Sequence, residues 1–291
     1  MAGFLDALAG SPALLLTTVV LLGLLVGSFI NVVVLRLPEM MLRAWHHEAR
    51  DILGHDPVPE TDTFNLVTPR SRCPSCGHQI RWYENIPVIS WLVLRGRCSA
   101  CGTGISARYP IIEFAAALLA AVATWQLGYG SWLAAVVVAG WVLLALTMID
   151  FDTTLLPDSI TYPFLWAGLL LAMLDISPVS LEDAVIGAVA GYLSLWLVYW
   201  TFKLLTGKEG MGHGDFKLLA GLGAWVGWQL LPMVILLSSL VGAVVGGLLL
   251  ATGAVKRDQG IPFGPYLAGA GWLTLIWGTQ IADAWLTMFR L

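Results

Sequence analysis

The chain has 291 residues, of which 58% are hydrophobic and only 12% charged, with 15 Lys and Arg against 19 Asp and Glu; its mean hydropathy is +0.79. This composition excludes an ordinary water-soluble globular domain, and several uncharged runs approach the ~20 residues that cross a hydrocarbon core as a helix. The class is therefore all-α and polytopic in a lipid bilayer.

The first apolar run spans 12–35, and the residues before it carry Asp6 and no Lys or Arg. A secretory signal would show a basic start, a shorter apolar core and a small-residue cleavage site, so this run reads as a retained first transmembrane helix over 1–35.

The segment 36–109 is polar and holds all four cysteines, as Cys73-Pro-Ser-Cys76-Gly and Cys98-Ser-Ala-Cys101-Gly with 21 residues between the pairs. Each C-x-x-C can set two thiolates on one metal from a tight turn, and the following Gly permits the backbone that turn needs. The expected site is a closed four-cysteine tetrahedron around a structural Zn²⁺; two disulfides are the alternative, disfavoured if the segment faces the cytoplasm. A segment so poor in large apolar residues needs such a staple to fold. Nine Arg against seven acidic residues give it a net charge of +2 with no basic run, which excludes a nucleic-acid surface. Its first half, about 43–63, reads as a helical excursion or a mobile insert.

Seven further apolar runs follow, at about 110–129, 132–149, 160–174, 184–202, 216–228, 230–255 and 261–288. The total is about eight transmembrane helices, with 216–228 the shortest and a candidate half-span. Placing 36–109 in the cytoplasm with eight crossings puts 14 of the 15 Lys and Arg on that side, leaving Arg290 outside. The N-terminus is then outside.

Asp150 ends the run 132–149, and Asp215 opens another within Gly212-His213-Gly214-Asp215-Phe216-Lys217. An ionisable group beside hydrocarbon is a functional candidate by default. With eight crossings both acids lie at the cytoplasmic face at similar depth, so a bundle can bring them together although they are 65 positions apart. Asp152 and Asp158 compete for the first role; Asp150 is favoured because it directly continues a rigid apolar helix, whereas Asp158 can cap the helix that follows. Gly212 and Gly214 would admit an extended substrate backbone and φ values other residues resist. Lys217 would tune a nearby carboxylate, bind substrate or anchor the helix at the interface. Two close carboxyls holding one proton suit peptide hydrolysis. A proton-coupled secondary transporter using Asp150 and Asp215 as a relay is the alternative reading. Gly23-x-x-x-Gly27, Gly187-x-x-x-Gly191, Gly242-x-x-x-Gly246 and Gly221-Leu-Gly223 are small-residue spacings for close helix packing.

These motifs resemble the bacterial type IV prepilin peptidases, among the intramembrane aspartic proteases that carry G-x-G-D. The likeness runs through Gly27-Ser-Phe-Ile-Asn31, both cysteine pairs, Glu84-Asn-Ile-Pro87, Leu94-Arg-Gly96-Arg-Cys98, Arg108-Tyr-Pro110 with Glu113, Asp150 through Asp158, and Gly210 through Leu218. It implies an enzyme of the bacterial inner membrane with its catalytic face in the cytoplasm. Such an enzyme cuts the basic leader from type IV prepilins and type II secretion pseudopilins, then methylates the new N-terminal amine with S-adenosylmethionine. Asp150 and Asp215 are then the catalytic pair within a peptidase domain over 110–291. Cys73, Cys76, Cys98 and Cys101 belong to a cytoplasmic domain, 36–109, tied to methyl transfer, with Gly96 and Glu113 as its further candidates.

Overall fold

A computed structural model describes residues 2–55, 63–253 and 260–289. Lys256, Arg257 and Arg290, whose charges enter the orientation argument, and Asp56, Glu60 and Asp62, which enter the net charge of 36–109, lie outside the described residues. Long helices dominate and only two isolated β-bridges occur among the described residues. The chain forms two compact units, Met1–Tyr129 and Gly130–Leu291.

In the first unit, α1 (Ala2–Gly10) leads into α2 (Pro12–Ile52), whose start is set by Ser11 as N-cap and Pro12 in the first turn. The helix outruns the apolar stretch by more than four turns, so the polar residues to Ile52 are a helical excursion. It packs on α4 (Arg108–Leu127) through the expected glycine seam. A Cβ at Gly23 would lie 2.7 Å from Ala117 Cα, and one at Gly27 2.6 Å from Glu113 Cα. No side chain fits there, so two backbones meet directly. The link between α2 and α4 carries the cysteine knuckles, a 3-10 turn (Trp82–Asn85) and the short α3 (Ile89–Val93).

In the second unit, α5 (Ser131–Thr153), α6 (Asp158–Met173), α7 (Leu181–Thr206), α8 (His213–Ala251) and α9 (Gly264–Phe289) form the bundle. Helices α2, α4, α5, α7 and α8 are each long and apolar enough to cross a membrane. The sixth and seventh expected spans are the two limbs of α8, broken at Gly227, where φ 77° and ψ 166° are inaccessible to most side chains. Contacts along α9 reveal the direction of each limb. On the first limb, Gly214 meets Leu156 as Gly264 does, and Leu222 meets Gly271, whereas on the second limb Leu230, Gly242 and Gly246 meet Gly278, Tyr266 and Ile261 in turn. The order along α9 reverses between the limbs, so the chain doubles back at Gly227. The first limb, 14 residues, is about 21 Å long at 1.5 Å per residue, short of a ~30 Å hydrocarbon core.

The first limb of α8 packs antiparallel on α7 with backbone-to-backbone closeness. A Cβ at Gly187 would lie 2.2 Å from Gly223 O, and one at Gly191 2.5 Å from Leu219 O. Gly221 meets the Phe164 ring of α6, so this Gly-rich stretch is a packing surface as expected. By contrast, Gly242 and Gly246 face side chains of the α9 entry and make no backbone crossing.

Candidate active site and metal centre

Helix α5 ends one turn after Asp150: Thr154 takes the left-handed conformation and its N–H donates to Asp150 O at 2.8 Å. Pro157 then precedes α6, and Gly212 is the N-cap of α8, with Asp215 in its first turn. Because α6 and the first limb of α8 run side by side, their starts meet, and Lys217 Nζ grips Asp158 at 2.6 and 2.8 Å. Trp132 at the far end of α5 touches Trp225 near the end of the first α8 limb, so α5 and that limb are antiparallel. Asp150 and Asp215 therefore share one end of the bundle.

Both acids are buried, Asp150 at 4% and Asp215 at 7% exposure. Each acid also meets a helix N-terminus, where unpaired N–H groups favour an anion. Asp215 lies in the first turn of α8. Asp150 Oδ2 accepts from the first N–H of α9, that of Gly264, at 2.9 Å. The Leu156 side chain lies between Gly214 and Gly264: it would be 2.8 Å from a Cβ at Gly214 and 3.2 Å from one at Gly264.

Gly264 was not among the residues singled out from sequence, although Ile261-Pro262-Phe263-Gly264-Pro265 carries the signal of a Gly between two prolines at a helix start. A Cβ there would sit 2.6 Å from Asp150 Oδ2. Three sequence readings need correction. Gly212 has φ −78°, which any residue adopts, so its value is not conformational freedom. The opening at Gly214 is filled by Leu156. Asp158 does not cap α6, since its carboxylate is committed to Lys217, and Lys217 accordingly pairs with Asp158 and lies over the Tyr162 ring. Asp152 is exposed. His213 packs against the rings of Tyr199 and Phe216.

The four cysteines converge as the spacing predicts. All are free, and their sulfurs lie within 4.8 Å of one another, with Cys73–Cys101 at 3.8 Å and Cys76–Cys98 at 4.0 Å. A tetrahedron with Zn–S bonds of about 2.3 Å has edges of about 3.8 Å, so the thiols fit zinc. The two knuckles repeat one pattern: Cys73 N–H to His78 O and Gly77 N–H to Cys73 O in the first, Cys98 N–H to Thr103 O and Gly102 N–H to Cys98 O in the second. Both Gly77 and Gly102 have φ 72°, the conformation for which glycine was expected.

Glu84 ties the knuckles together, accepting from Ser99 Oγ at 2.5 Å and Arg81 N–H at 2.8 Å and meeting His78 Nε2 at 3.2 Å. The Ser99 hydroxyl first, then the Arg81 amide and His78, hold its carboxyl down at about 2. Contact with Thr103 lowers the Cys101 thiol to about 6. Cys76 is pushed up to about 12: the His78 backbone opposes the rise, but the thiols of Cys101, Cys73 and Cys98 and burial outweigh it. Four thiolates this close require a cation.

Glu113 and Gly96, the remaining candidates, both lie in the first unit. Glu113 is buried, and its Oε2 accepts from Val88 N–H at 2.7 Å. Gly96 lies under Trp91, whose Cζ2 would be 2.8 Å from a Cβ there.

Comparison with known proteins agrees with this arrangement. Residues 137–247 match the family described as type IV leader peptidase, and residues 21–127 match the bacterial peptidase A24 N-terminal domain. A prepilin leader peptidase/N-methyltransferase of Stutzerimonas stutzeri is 54% identical over 98% of this chain and 99% of its own length. One from Pseudomonas aeruginosa is 54% identical over 97% of both chains, and one from Burkholderia pseudomallei 50% identical over 96% of this chain and 91% of its own. No solved structure matches the chain. The transporter alternative finds no support in these relatives. Identity at this level along nearly the whole sequence, joined to two acids at one end of a helical bundle and four clustered thiols, means that the chain belongs to the type IV leader peptidase family.

Proposed function

We propose that this chain is a prepilin peptidase and N-methyltransferase of the bacterial inner membrane. It cleaves the basic leader of type IV prepilins and type II secretion pseudopilins at the cytoplasmic face, then methylates the new α-amine. The N-terminus lies outside, residues 36–109 form the cytoplasmic domain linked to methyl transfer, and 110–291 form the peptidase domain. The observation that carries the peptidase reading is a pair of buried carboxylates, Asp150 and Asp215, at one end of the bundle.

Two adjacent carboxyls hold a single proton between them, and the titration belongs to the pair. The ionised member takes a proton from a water, whose oxygen attacks the scissile carbonyl carbon. The protonated member donates to the carbonyl oxygen, and a proton then passes to the leaving amine as the C–N bond breaks. The Gly264 N–H fixes one oxygen of Asp150, which leaves the other for this exchange. Leu156 excludes water from the gap beside Gly214. Gly212 keeps the approach to Asp215 open: a Cβ there would meet only Asp215 Oδ2, at 3.8 Å. Lys217 supports the site indirectly, by tying the starts of α6 and α8 through Asp158.

Cys73, Cys76, Cys98 and Cys101 would hold a zinc ion whose closed tetrahedron supplies folding energy and no open coordination position. S-adenosylmethionine supplies the methyl group, and Gly96 and Glu113 serve that second reaction. Purified full-length protein in detergent should cut a prepilin and incorporate labelled methyl into the product. Asp150→Ala or Asp215→Ala should each abolish cutting while methylation of a pre-cut substrate persists. Retained cutting in either variant would remove that aspartate from the pair.

A further inference from the structure

Helix α7 outruns the level of Asp215. Its Gly187 and Gly191 face Gly223 and Leu219 of α8, so each step along one helix matches an equal step back along the other, and Asp215 is level with Leu195. From there α7 continues to Thr206, about 16 Å at 1.5 Å per residue. The chain must come back most of that distance between Thr206 and His213, where α8 starts. Gly207, Gly210 and Gly212 make up half of this linker, so by itself it leaves the first turn of α8, and Asp215 with it, loosely placed.

The return is pinned at a charged point. Lys203 Nζ donates to Glu209 Oε1 at 2.7 Å and to the Tyr199 hydroxyl at 3.1 Å, and it lies 5.4 Å from the ring centroids of Tyr199 and Trp200. Helical side chains tilt toward the helix N-terminus, so Lys203 reaches back toward the level of Asp215 and holds Glu209 there. Lys203 first, then Tyr199 and His213, keep the Glu209 carboxyl below the usual carboxylate range. Buried Tyr199 carries the contact onward. Its ring packs on His213 and Phe216, with centroids 5.1 and 5.6 Å away, and these two residues flank Gly214-Asp215 in the first turn of α8. Gly207 ends α7 at φ 70° with its N–H on Lys203 O at 2.9 Å. Gly210 lies against the Phe202 ring, where a Cβ would be 2.9 Å from Cδ1.

We propose that Tyr199, Lys203 and Glu209 form a clasp that fixes this linker to the end of α7 and so positions Asp215 for cleavage. The proposal rests on the peptidase reading above and adds three positioning residues to it. The ion pair sets where the linker returns, and the phenol joins that pair to the aromatic stack that orients the first turn of α8. With the Glu209 side chain 69% and that of Lys203 34% exposed, the pair contributes little to global stability. Its leverage lies in place: it holds a glycine-rich linker that ends one turn from a catalytic carboxylate, where a small displacement is costly in rate.

The test uses full-length, zinc-loaded protein in detergent. Glu209→Gln should lower kcat for leader cleavage about fivefold, the scale of one partly exposed ion pair, with KM changed less than about twofold. The unfolding midpoint should stay where it is. Glu209→Lys sets two cations against each other and should lose more. Lys203→Glu combined with Glu209→Lys should regain at least about half the rate, because the pair is restored with its ends exchanged. Tyr199→Phe keeps the ring without the hydroxyl and should fall between the unaltered protein and Glu209→Gln. Amide hydrogen exchange over residues 212–219 should quicken in both single Glu209 variants and slow again in the charge-exchanged pair.

Normal kcat and normal exchange in Glu209→Gln would overturn the clasp. A charge-exchanged pair that restores neither rate nor exchange would do the same. So would a loss confined to KM that grows with the number of basic residues in the leader, since Glu209 would then be a substrate contact. Unaltered protein that cuts no leader would refute the peptidase reading itself, and the exchange rates would still decide whether the clasp fixes the start of α8.

Discussion

Gly264→Ala places a methyl carbon on the oxygen that the backbone of α9 now holds. The ideal Cβ lies 2.6 Å from Asp150 Oδ2 and 3.1 Å from its Cγ, whereas a relaxed carbon–oxygen contact needs a little over 3 Å. The carboxylate or the start of α9 must therefore move by roughly 0.5–1 Å, and the 2.9 Å bond from Gly264 N–H is lengthened or lost. A misplacement of about 1 Å at reacting groups costs about 100-fold in rate, equivalent to about 2.7 kcal/mol of transition-state stabilisation. Initial rates of leader cleavage in detergent should fall by about that factor, mainly in kcat, with little change in the thermal unfolding midpoint. The matched control is Gly269→Ala on the same helix, where a Cβ meets nothing within 4 Å; it should cleave normally. Full activity in Gly264→Ala, or equal loss in both variants, would refute the positioning argument.

Three other outcomes follow from the geometry. Elemental analysis of protein purified without chelators should find one zinc per chain, and Cys76→Ser should lose most of it, with protease sensitivity appearing within 63–107. Glu84→Gln should make zinc easier to strip by a chelator at pH 7, because the tie between the knuckles is weakened. The Glu84 carboxyl is held at about 2 against an ordinary 4.5, so its contribution is complete above about 4.5 and fades as pH falls through about 2; an unchanged chelator midpoint would contradict the tie. Gly223→Ala sets a Cβ 2.1 Å from Gly187 O, so it should destabilise the protein by at least the roughly 1–3 kcal/mol typical of overpacking, read as a lower unfolding midpoint. An unchanged midpoint would mean that the α7–α8 crossing is looser than described.

What could be read from the sequence depended on whether the signal was local. Apolar length fixed the helices, because hydrocarbon allows few ways to satisfy a backbone. Gly23 and Gly27 one turn apart foretold a seam on α2, since only small residues let two membrane helices touch. The thiol cluster was legible because two knuckles that each hold half a tetrahedron have few other uses. Asp150 and Asp215 were identified by the rarity of carboxylates beside apolar runs. Contacts set by tertiary packing were not legible: Gly264 reaches Asp150 across 114 positions, and nothing near either residue names the other. Capping propensity assigned Asp158 to α6, but a lysine brought alongside on α8 took its carboxylate. For the same reason the reversal at Gly227 appears in sequence only as one glycine among many, although the two charges in the following loop favoured it.

The central claim is that Asp150 and Asp215 act as a unit. The most direct measurement is a double-mutant cycle on leader cleavage, comparing Asp150→Asn, Asp215→Asn and the pair in folded, zinc-loaded protein. Each single change should remove nearly all the rate, and the double variant should be no slower than either, as for residues that share one proton. Additive losses, or substantial cleavage surviving in one single variant, would contradict a shared site.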